Sequence, residues 1–482
     1  MTRALPDDLV CAVDVGTSAV RAALVDPEGR QQALVRRERP GDRASVAFDP
    51  EVLWETCVEV LAELLAGGAR PRAVALAGHV GTVLLDAHGS PLGEGRGWAD
   101  ATGAADLEAS WAADPARARR LGRPSVTGGA VPLLHHLRGV DRRTLDAVRW
   151  VLSPKDFLLL RLGAEPVTDL TSAAYTLGLD VAGCRWAVDV LEALGLPGGV
   201  WPHLHAAADR AGAVGARAAA RTGLPAGTPL AVGGPDGSVG ASAVLGGTPG
   251  ATADVAGTTD VLTTLASSAT PPSSSAVVNP WLVRGRWAMG GPTGMTGGAL
   301  AHWSRLLGVD YADASDPVVR DAEELAPGCD GLSVTSTLSG SRFPDWDPSA
   351  RGAVWGMSER HGRAHLLRAS QEAAAYLVRS GIEALEVPPG PVLLAGGAAR
   401  SASLTQLRAD VLGRPVLACS EPDVSLLGAA MLAHTSAGTH PDLAAAQQAM
   451  VPPSREVVPD AGRAEVYEDL YQQWRSRRPL PR

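Results

Sequence analysis

The sequence predicts an α/β protein built as two lobes, on three observations. At roughly 100–200 residues per domain, a chain of 482 residues implies two to four domains rather than one core. Short β-prone runs that end in Gly-Thr or Gly-Gly turns alternate with stretches of helical period. An Asp followed closely by Gly-Thr opens each half, at Asp14 and again at Asp254, about 240 residues apart.

The elements follow in order. Val10 to Val13 is apolar and β-prone, Gly16-Thr17-Ser18 is turn chemistry, and Ala22 to Val25 is apolar again before Asp26 to Gly29 ends it. Glu51 to Leu65 carries helical spacing through Val52, Leu53, Val58, Leu61 and Leu64. Ala73 to Asp86 reads as a second hairpin, closed by His88-Gly89-Ser90. From about 105 to 220, helical patterns alternate with short turns, and a helix tail at Ala216 to Arg221 stops at Gly223-Leu-Pro225. Leu230 to Asp236 begins a strand-turn element. Ala253 to Ala266 repeats the first strand-turn-strand, with Asp-x-x-Gly-Thr in place of Asp-x-Gly-Thr. A long helix over about 365–385, a strand at Val392 to Ala395, the pair Gly396-Gly397 and another helix complete the second half. Thr270 to Ser275 reads as a loop, and the last eight residues as a frayed tail.

Composition excludes several classes. A net charge of -9 argues against a nucleic-acid surface, which needs a basic face. No apolar run approaches the roughly 20 residues of a membrane span, and acids occupy the place of a signal peptide's apolar stretch, so a cytoplasmic protein is expected. The five scattered cysteines form no CxxC pair and read as buried free thiols. Lys155 is the only lysine and no glycine loop precedes it, so neither a Walker loop nor a protein-kinase lysine is available. A phosphate would be held by backbone amides, hydroxyls, arginine or a metal ion.

Candidate chemistry gathers at a few turns. Gly16, Thr17 and Ser18 present consecutive amides and two hydroxyls, a nest suited to phosphate oxygens, with Arg21 in reach. Asp14 can hold Mg²⁺ through water. Gly257, Thr258 and Thr259 repeat the turn, and two such turns could grip successive phosphates of one nucleotide. Asp236, between Gly-rich turns after an apolar strand, is either a general base or a helix cap. Gly397 and Ser401 mark a strand-to-helix turn open to a nucleotide or purely structural. His79, Trp98 and Asp100 end or follow strands in the first half.

The stretches DVGTSAVRA, LSPKDFLLLRL with VTDLTSAAYTLGLD, TGLPAGTPLAVGGPDGSVGA, SGSRFPDWDPSARGAVWG and LLAGGAARSASLTQLRADVLGRPV with SLLGAAMLA occur in the order and spacing of one family. Along almost its full length the chain resembles the FGGY carbohydrate kinases, especially xylulokinase-like members. The resemblance implies two actin-like (ribonuclease-H-like) α/β lobes flanking a cleft, residues 1–246 for the sugar, first phosphate loop and catalytic Asp, residues 247–482 for the nucleotide. It implies Asp236 as catalytic base, and Asp14, Gly16, Thr17, Ser18 and Arg21 as the first phosphate motif. Thr258, with Thr259 beside it, falls on the second, and Gly298, His302, Gly397 and Ser401 on further nucleotide positions. The sugar contacts fall near Gly78, His79 and Val80, with Trp98 and Asp100 beside them.

Four departures concern the sugar. AGHVG replaces a Gln-Met-His-Gly-like motif, Gly237 stands where an Asn or Gln usually follows the catalytic Asp, GAVPLLHHL lacks the usual lysine, and Asp260 sits where many members have a small residue. The expected activity is transfer of the ATP γ-phosphoryl group to a ketose or polyol, a pentulose such as xylulose first, with Mg²⁺. The partners are then a small sugar and ATP, with a homodimer as the family expectation, and no nucleic acid or membrane. The alternatives are another acceptor (ribulose, glycerol, a heptulose), a non-catalytic sugar or nucleotide sensor, an actin-like ATPase acting on a protein, or a ribokinase-type enzyme.

Overall fold

The computed structural model describes residues 8–477 apart from 40–44, 113, 124–127, 247, 249, 271–272, 274, 336, 339, 348 and 387–389. The expected frayed tail is corrected in part: Arg475 and Ser476 close a helix over Ala461–Ser476, while 478–482 and half of the loop at 270–275 lie outside the described residues.

In the first lobe the apolar runs form β1 (Val10–Val15), β2 (Ala19–Val25) and β3 (Gln31–Glu38). Helix α1 (Pro50–Leu65) follows, its first turn capped by the Asp49 carboxylate. Then come β4 (Val74–Gly78), β5 (Gly81–Leu85), α2 (Pro154–Leu162), α3 (Leu170–Tyr175), β6 (Arg210–Ala213), β7 (Pro229–Ala231), β8 (Gly234–Pro235) and α4 (Asp236–Leu245). The second lobe runs β9 (Thr252–Ala256), β10 (Asp260–Ala266), β11 (Val277–Pro280), β12 (Trp287–Pro292), α5 (Gly297–Leu307), α6 (Arg363–Ala384), β13 (Val392–Gly396), α7 (Ala402–Leu412), β14 (Val416–Cys419), α8 (Val424–Ser436) and β15 (Ser454–Val457).

Each lobe is organised on a seven-stranded sheet, and the two share one pairing pattern. The first reads β3-β2-β1-β4-β7-β6, with β8 also beside β4; the second reads β12-β10-β9-β13-β14-β15, extended by β11 beyond β12. In both, the leading strand pairs antiparallel with the next strand in the chain and parallel with the strand on its other side. The weak repeat in the sequence is thus a repeat of topology. A single buried apolar cluster draws Val10 and Ala12 of β1, Val239 of α4, Ala253 of β9, Ala395 of β13 and Leu426 of α8 together, so α4 and α8 form the core between the sheets.

The expected hairpin over 73–86 is not formed. β4 lies parallel to β1 in the main sheet, whereas β5 pairs antiparallel with Gly95–Gly97 and Trp150–Leu152 in a separate four-stranded sheet. Two apolar runs separated by His79-Val80 look alike whether they pair with each other or with distant strands. The middle region also carries short strands among its helices, which helical spacing alone did not show. All five cysteines are free, and four of them are buried. Among the described residues, no helix is long and apolar enough to cross a membrane.

Candidate active site

Register places the site. Val15 of β1 and Pro235 of β8 both pair with Gly78 of β4. The residues that follow these three, Gly16, His79 and Asp236, therefore stand in a row at the carboxyl edge of adjacent strands, where ligands of open α/β sheets bind. Neighbouring strands are about 4.8 Å apart, so the row spans roughly 10 Å.

Asp14 lies opposite Arg21 across the β1–β2 pair and is buried. Arg21 Nε and Nη2 both donate to Asp14 Oδ2, and Nη1 donates to Asp423, just before α8. Burial raises the Asp14 carboxyl above its ordinary range, Arg21 opposes this, and Asp423 adds to it. Asp14 Oδ1 is buried with no hydrogen-bond partner.

Asp236 opens α4 but does not cap it: its Oδ1 accepts only the adjacent Gly237 N–H, at 2.7 Å. Burial, and then the charge of Asp14, push its carboxyl up to about 6. A carboxylate poised just below neutral pH suits a general base.

His79 is buried, and both its ring nitrogens are engaged. Arg39 Nη1 lies 3.0 Å from Nε2, and Nδ1 lies 3.1 Å from the Val80 carbonyl. Arginine only donates, so Nε2 accepts and Nδ1 carries the proton. Burial, reinforced by Arg39, lowers the imidazole to about 4, so His79 is neutral at physiological pH. His79, Val80, Trp98, Tyr175, Trp186 and Asp156 contribute to the wall of a pocket beside this row. Trp98 is 38% exposed, and Arg342 of the second half lies 5.2 Å from its ring. Asp100 lies next to Trp98 but outside that wall, its Oδ1 accepting the Thr102 hydroxyl at 2.8 Å.

Under the pocket sits Lys155, buried between two carboxylates. Its ammonium reaches Asp156 at 2.5 Å, Asp169 at 3.0 Å and the Val232 carbonyl at 3.1 Å. Asp156 completes the capping box of α2, and Asp169 caps α3, so the triad ties together the two helices that frame the pocket.

In the second lobe, the 257–259 turn is clamped by the start of α5. The Gly298 N–H donates to the Thr258 carbonyl at 2.9 Å, and a Cβ at Gly297 would stand 2.2 Å from the Gly257 carbonyl oxygen. Gly257 and Thr258 are exposed and Thr259 half-buried, and His302 further along α5 is half-buried. Gly396 (φ 85°) turns the chain so that the Gly397 N–H bonds the Ala256 carbonyl at 2.8 Å; the Ser401 hydroxyl caps α7 by accepting the Leu404 N–H.

The two Asp-Gly-Thr motifs are alike in their turns but not in their acids. Val15 pairs with Gly78 as Ala256 pairs with Gly396, so Asp14 corresponds to Val255 and Asp254 points to the opposite face. There Arg408 of α7 bonds Asp254 and Asp260 at 2.8 Å each. The one-residue difference in spacing removes Asp254 from the cleft and makes it part of a buried ion triad.

Gly237 is half-buried, and a Cβ there would meet nothing within 4 Å. Gly237→Asn is expected to change unfolding free energy by less than about 1 kcal/mol, measured by denaturant titration, since it replaces a helical glycine in open space.

Two sheets of one topology with phosphate-type turns at the facing strand edges define the actin-like, ribonuclease-H-like class of fold. Family models agree: the N-terminal domain of the FGGY family of carbohydrate kinases matches residues 9–244, and its C-terminal domain matches residues 253–437. The chain is 27% identical to a xylulose kinase of Escherichia coli (strain K12) over 478 residues, covering 96% of this chain and 98% of that one. It is 30% identical to a glycerol kinase of Gloeobacter violaceus over 467 residues, covering 90% and 89%. A crystal structure of xylulose kinase from Rhodospirillum rubrum superposes with a TM-score of 0.85 at 28% identity, covering 97% of this chain and 98% of that one. The chain belongs to the FGGY family of carbohydrate kinases, phosphotransferases that use ATP and act on an alcohol group, generally with a divalent metal.

Proposed function

We propose that this chain transfers the γ-phosphoryl group of ATP to a hydroxyl of a ketose or polyol, with a pentulose such as xylulose the first candidate. The observation that carries the reading is the row Gly16, His79, Asp236 at one sheet edge, with a carboxylate raised to about 6 at its end. Asp236 accepts the proton of the acceptor hydroxyl as its oxygen bonds to the γ-phosphorus. The bond from that phosphorus to the β–γ bridging oxygen breaks, and ADP leaves with the electron pair. The amides of the 16–18 and 257–259 turns orient the phosphates, and Gly298, His302, Gly397 and Ser401 border the nucleotide side. Residues 1–246 carry the acceptor and residues 247–482 the nucleotide.

Asp14 fits a divalent cation: one oxygen is taken by Arg21, and the other is buried and unpartnered. Mg²⁺ commonly takes one or two carboxylates and completes its shell with water and phosphate oxygens, so a single carboxylate with a free oxygen suffices. Such an ion would neutralise charge on the phosphates. Chelation with EDTA is expected to abolish ADP release, and added Mg²⁺ to restore it.

Open space at Gly237 supports a runner-up reading with a different acceptor (ribulose, glycerol or a heptulose), because glycine offers no side-chain amide to a sugar hydroxyl there. A coupled ADP-release screen over pentuloses, hexuloses, heptuloses and polyols, with ATP and Mg²⁺, tests the proposal. Acceptor-dependent turnover with at least one of them is expected. ADP release indifferent to every acceptor would overturn it.

A further inference from the structure

The reaction proposed above needs positive charge where the phosphoryl group passes between nucleotide and acceptor, because catalysis of phosphoryl transfer is almost entirely positioning and electrostatics. Two nearby cations are already neutralised. Lys155 is 1% exposed and locked between Asp156 and Asp169. Arg21 is held by Asp14 on one side and Asp423 on the other.

Arg39 differs. No carboxylate among the described residues pairs with it. Its Nη1 donates to the Gly16 carbonyl at 2.8 Å and lies 3.0 Å from His79 Nε2, so it bridges two of the three positions in the catalytic row. Its backbone N–H donates to the Ser18 carbonyl at 2.8 Å, which fixes it to the first phosphate turn. The guanidinium sits 5.2 Å from the Phe48 ring, and that ring packs edge-on against His79 at 5.3 Å. Burial lowers Arg39 to about 10, so it stays charged at neutral pH while poorly solvated. Among the described residues its partners carry no negative charge, and a cation so held keeps its field for an incoming anion.

We propose that Arg39 is the side chain that stabilises the charge of the transferring phosphoryl group, anchored between the phosphate turn and the sugar pocket by Gly16 and His79. This rests on the kinase reading above. Arg39 exchanges no proton and forms no covalent bond; it donates hydrogen bonds to phosphoryl oxygens as the bond to ADP breaks.

The test uses the full chain and the variants Arg39→Met and Arg39→Lys in two measurements. With ATP, Mg²⁺ and D-xylulose, Arg39→Met is expected to lower kcat roughly 10²–10³-fold with KM for xylulose changed less than about threefold, and Arg39→Lys to recover part of the loss. Without any acceptor, aluminium fluoride is expected to tighten ADP binding to the wild type by about tenfold or more, as a mimic of the transferring group, and to lose that effect in Arg39→Met while ADP alone binds as before. A raised KM with unchanged kcat, together with wild-type tightening by aluminium fluoride, would show that Arg39 only positions His79 and would overturn the proposal. Should Arg39→Met not fold, Arg39→Lys decides: a point charge without the planar fork should cost about tenfold in kcat, and an unchanged kcat overturns the proposal. The fluoride arm needs no sugar, so a wrong acceptor and a wrong role for Arg39 give different results.

Discussion

Replacing Asp236 with Asn is expected to lower kcat about 10²–10⁴-fold, the usual contribution of a positioned general base. Asn keeps the volume and can still accept the Gly237 N–H, but it cannot take a proton. ATP affinity should change little, since the nucleotide is held by the two turns and not by this side chain. The wild-type pH profile carries the same signature. The base works only when ionised, and burial with the Asp14 charge sets its carboxyl at about 6. Activity should therefore rise with pH, bend near 6 and stay level above it, falling about tenfold per unit below. Asp14→Asn removes one of the causes of that shift, so direct titration of Asp236 in the metal-free protein should find its midpoint at lower pH in this variant than in the wild type.

The largest expected loss of stability comes from Lys155→Met. The ammonium is buried, and Asp156 and Asp169 overcome the effect of burial to hold its pKa above the ordinary value. Removing it leaves two carboxylates facing each other without their cation, a change that costs about 3–5 kcal/mol when one partner of a buried ion pair is lost. The sign with pH follows. Burial and the Asp169 charge raise the Asp156 carboxyl, and the variant loses the Lys155 charge that opposes them, so the fold is penalised when Asp156 is ionised and relieved as it protonates. Denaturation experiments should find the deficit larger at pH 8 than at pH 5. Because the triad braces α2 and α3, acceptor KM should rise as well, while ATP affinity should not.

How much of this was legible in the sequence depended on how local the determinant is. The Gly16–Ser18 turn, the helix of Glu51 to Leu65 and the placing of Asp236 after an apolar strand are written within a few residues, and the fold carries each of them. The second Asp-Gly-Thr motif was legible only in part. Its turn repeats the first, but a single added residue between Asp254 and Gly257 reverses the face of the sheet to which the acid points, and only the pairing of Ala256 with Gly396 reveals it. The run from Ala73 to Asp86 looked like a hairpin because nothing local says that β4 joins β1 while β5 leaves for another sheet. The lack of a glycine loop before Lys155 is a local feature, whereas its burial between Asp156 and Asp169 depends on tertiary packing. Arg39 is one of three arginines in RRER, and Asp423 meets Arg21 across 402 residues; neither position carries a signal that sequence spacing could isolate. Arg342, which reaches Trp98, sits in a stretch whose resemblance to the family was plain but whose contact across the lobes was not.

The row ending in Asp236 is proposed to perform phosphoryl transfer to a sugar hydroxyl. Side-by-side ADP release by wild type and Asp236→Asn, with and without the best acceptor, and with ATP affinity measured on both proteins, tests it most directly. Acceptor-dependent turnover is expected in the wild type, its near abolition in Asp236→Asn, and equal ATP affinity in both. Equal acceptor-dependent turnover by the two proteins would contradict it.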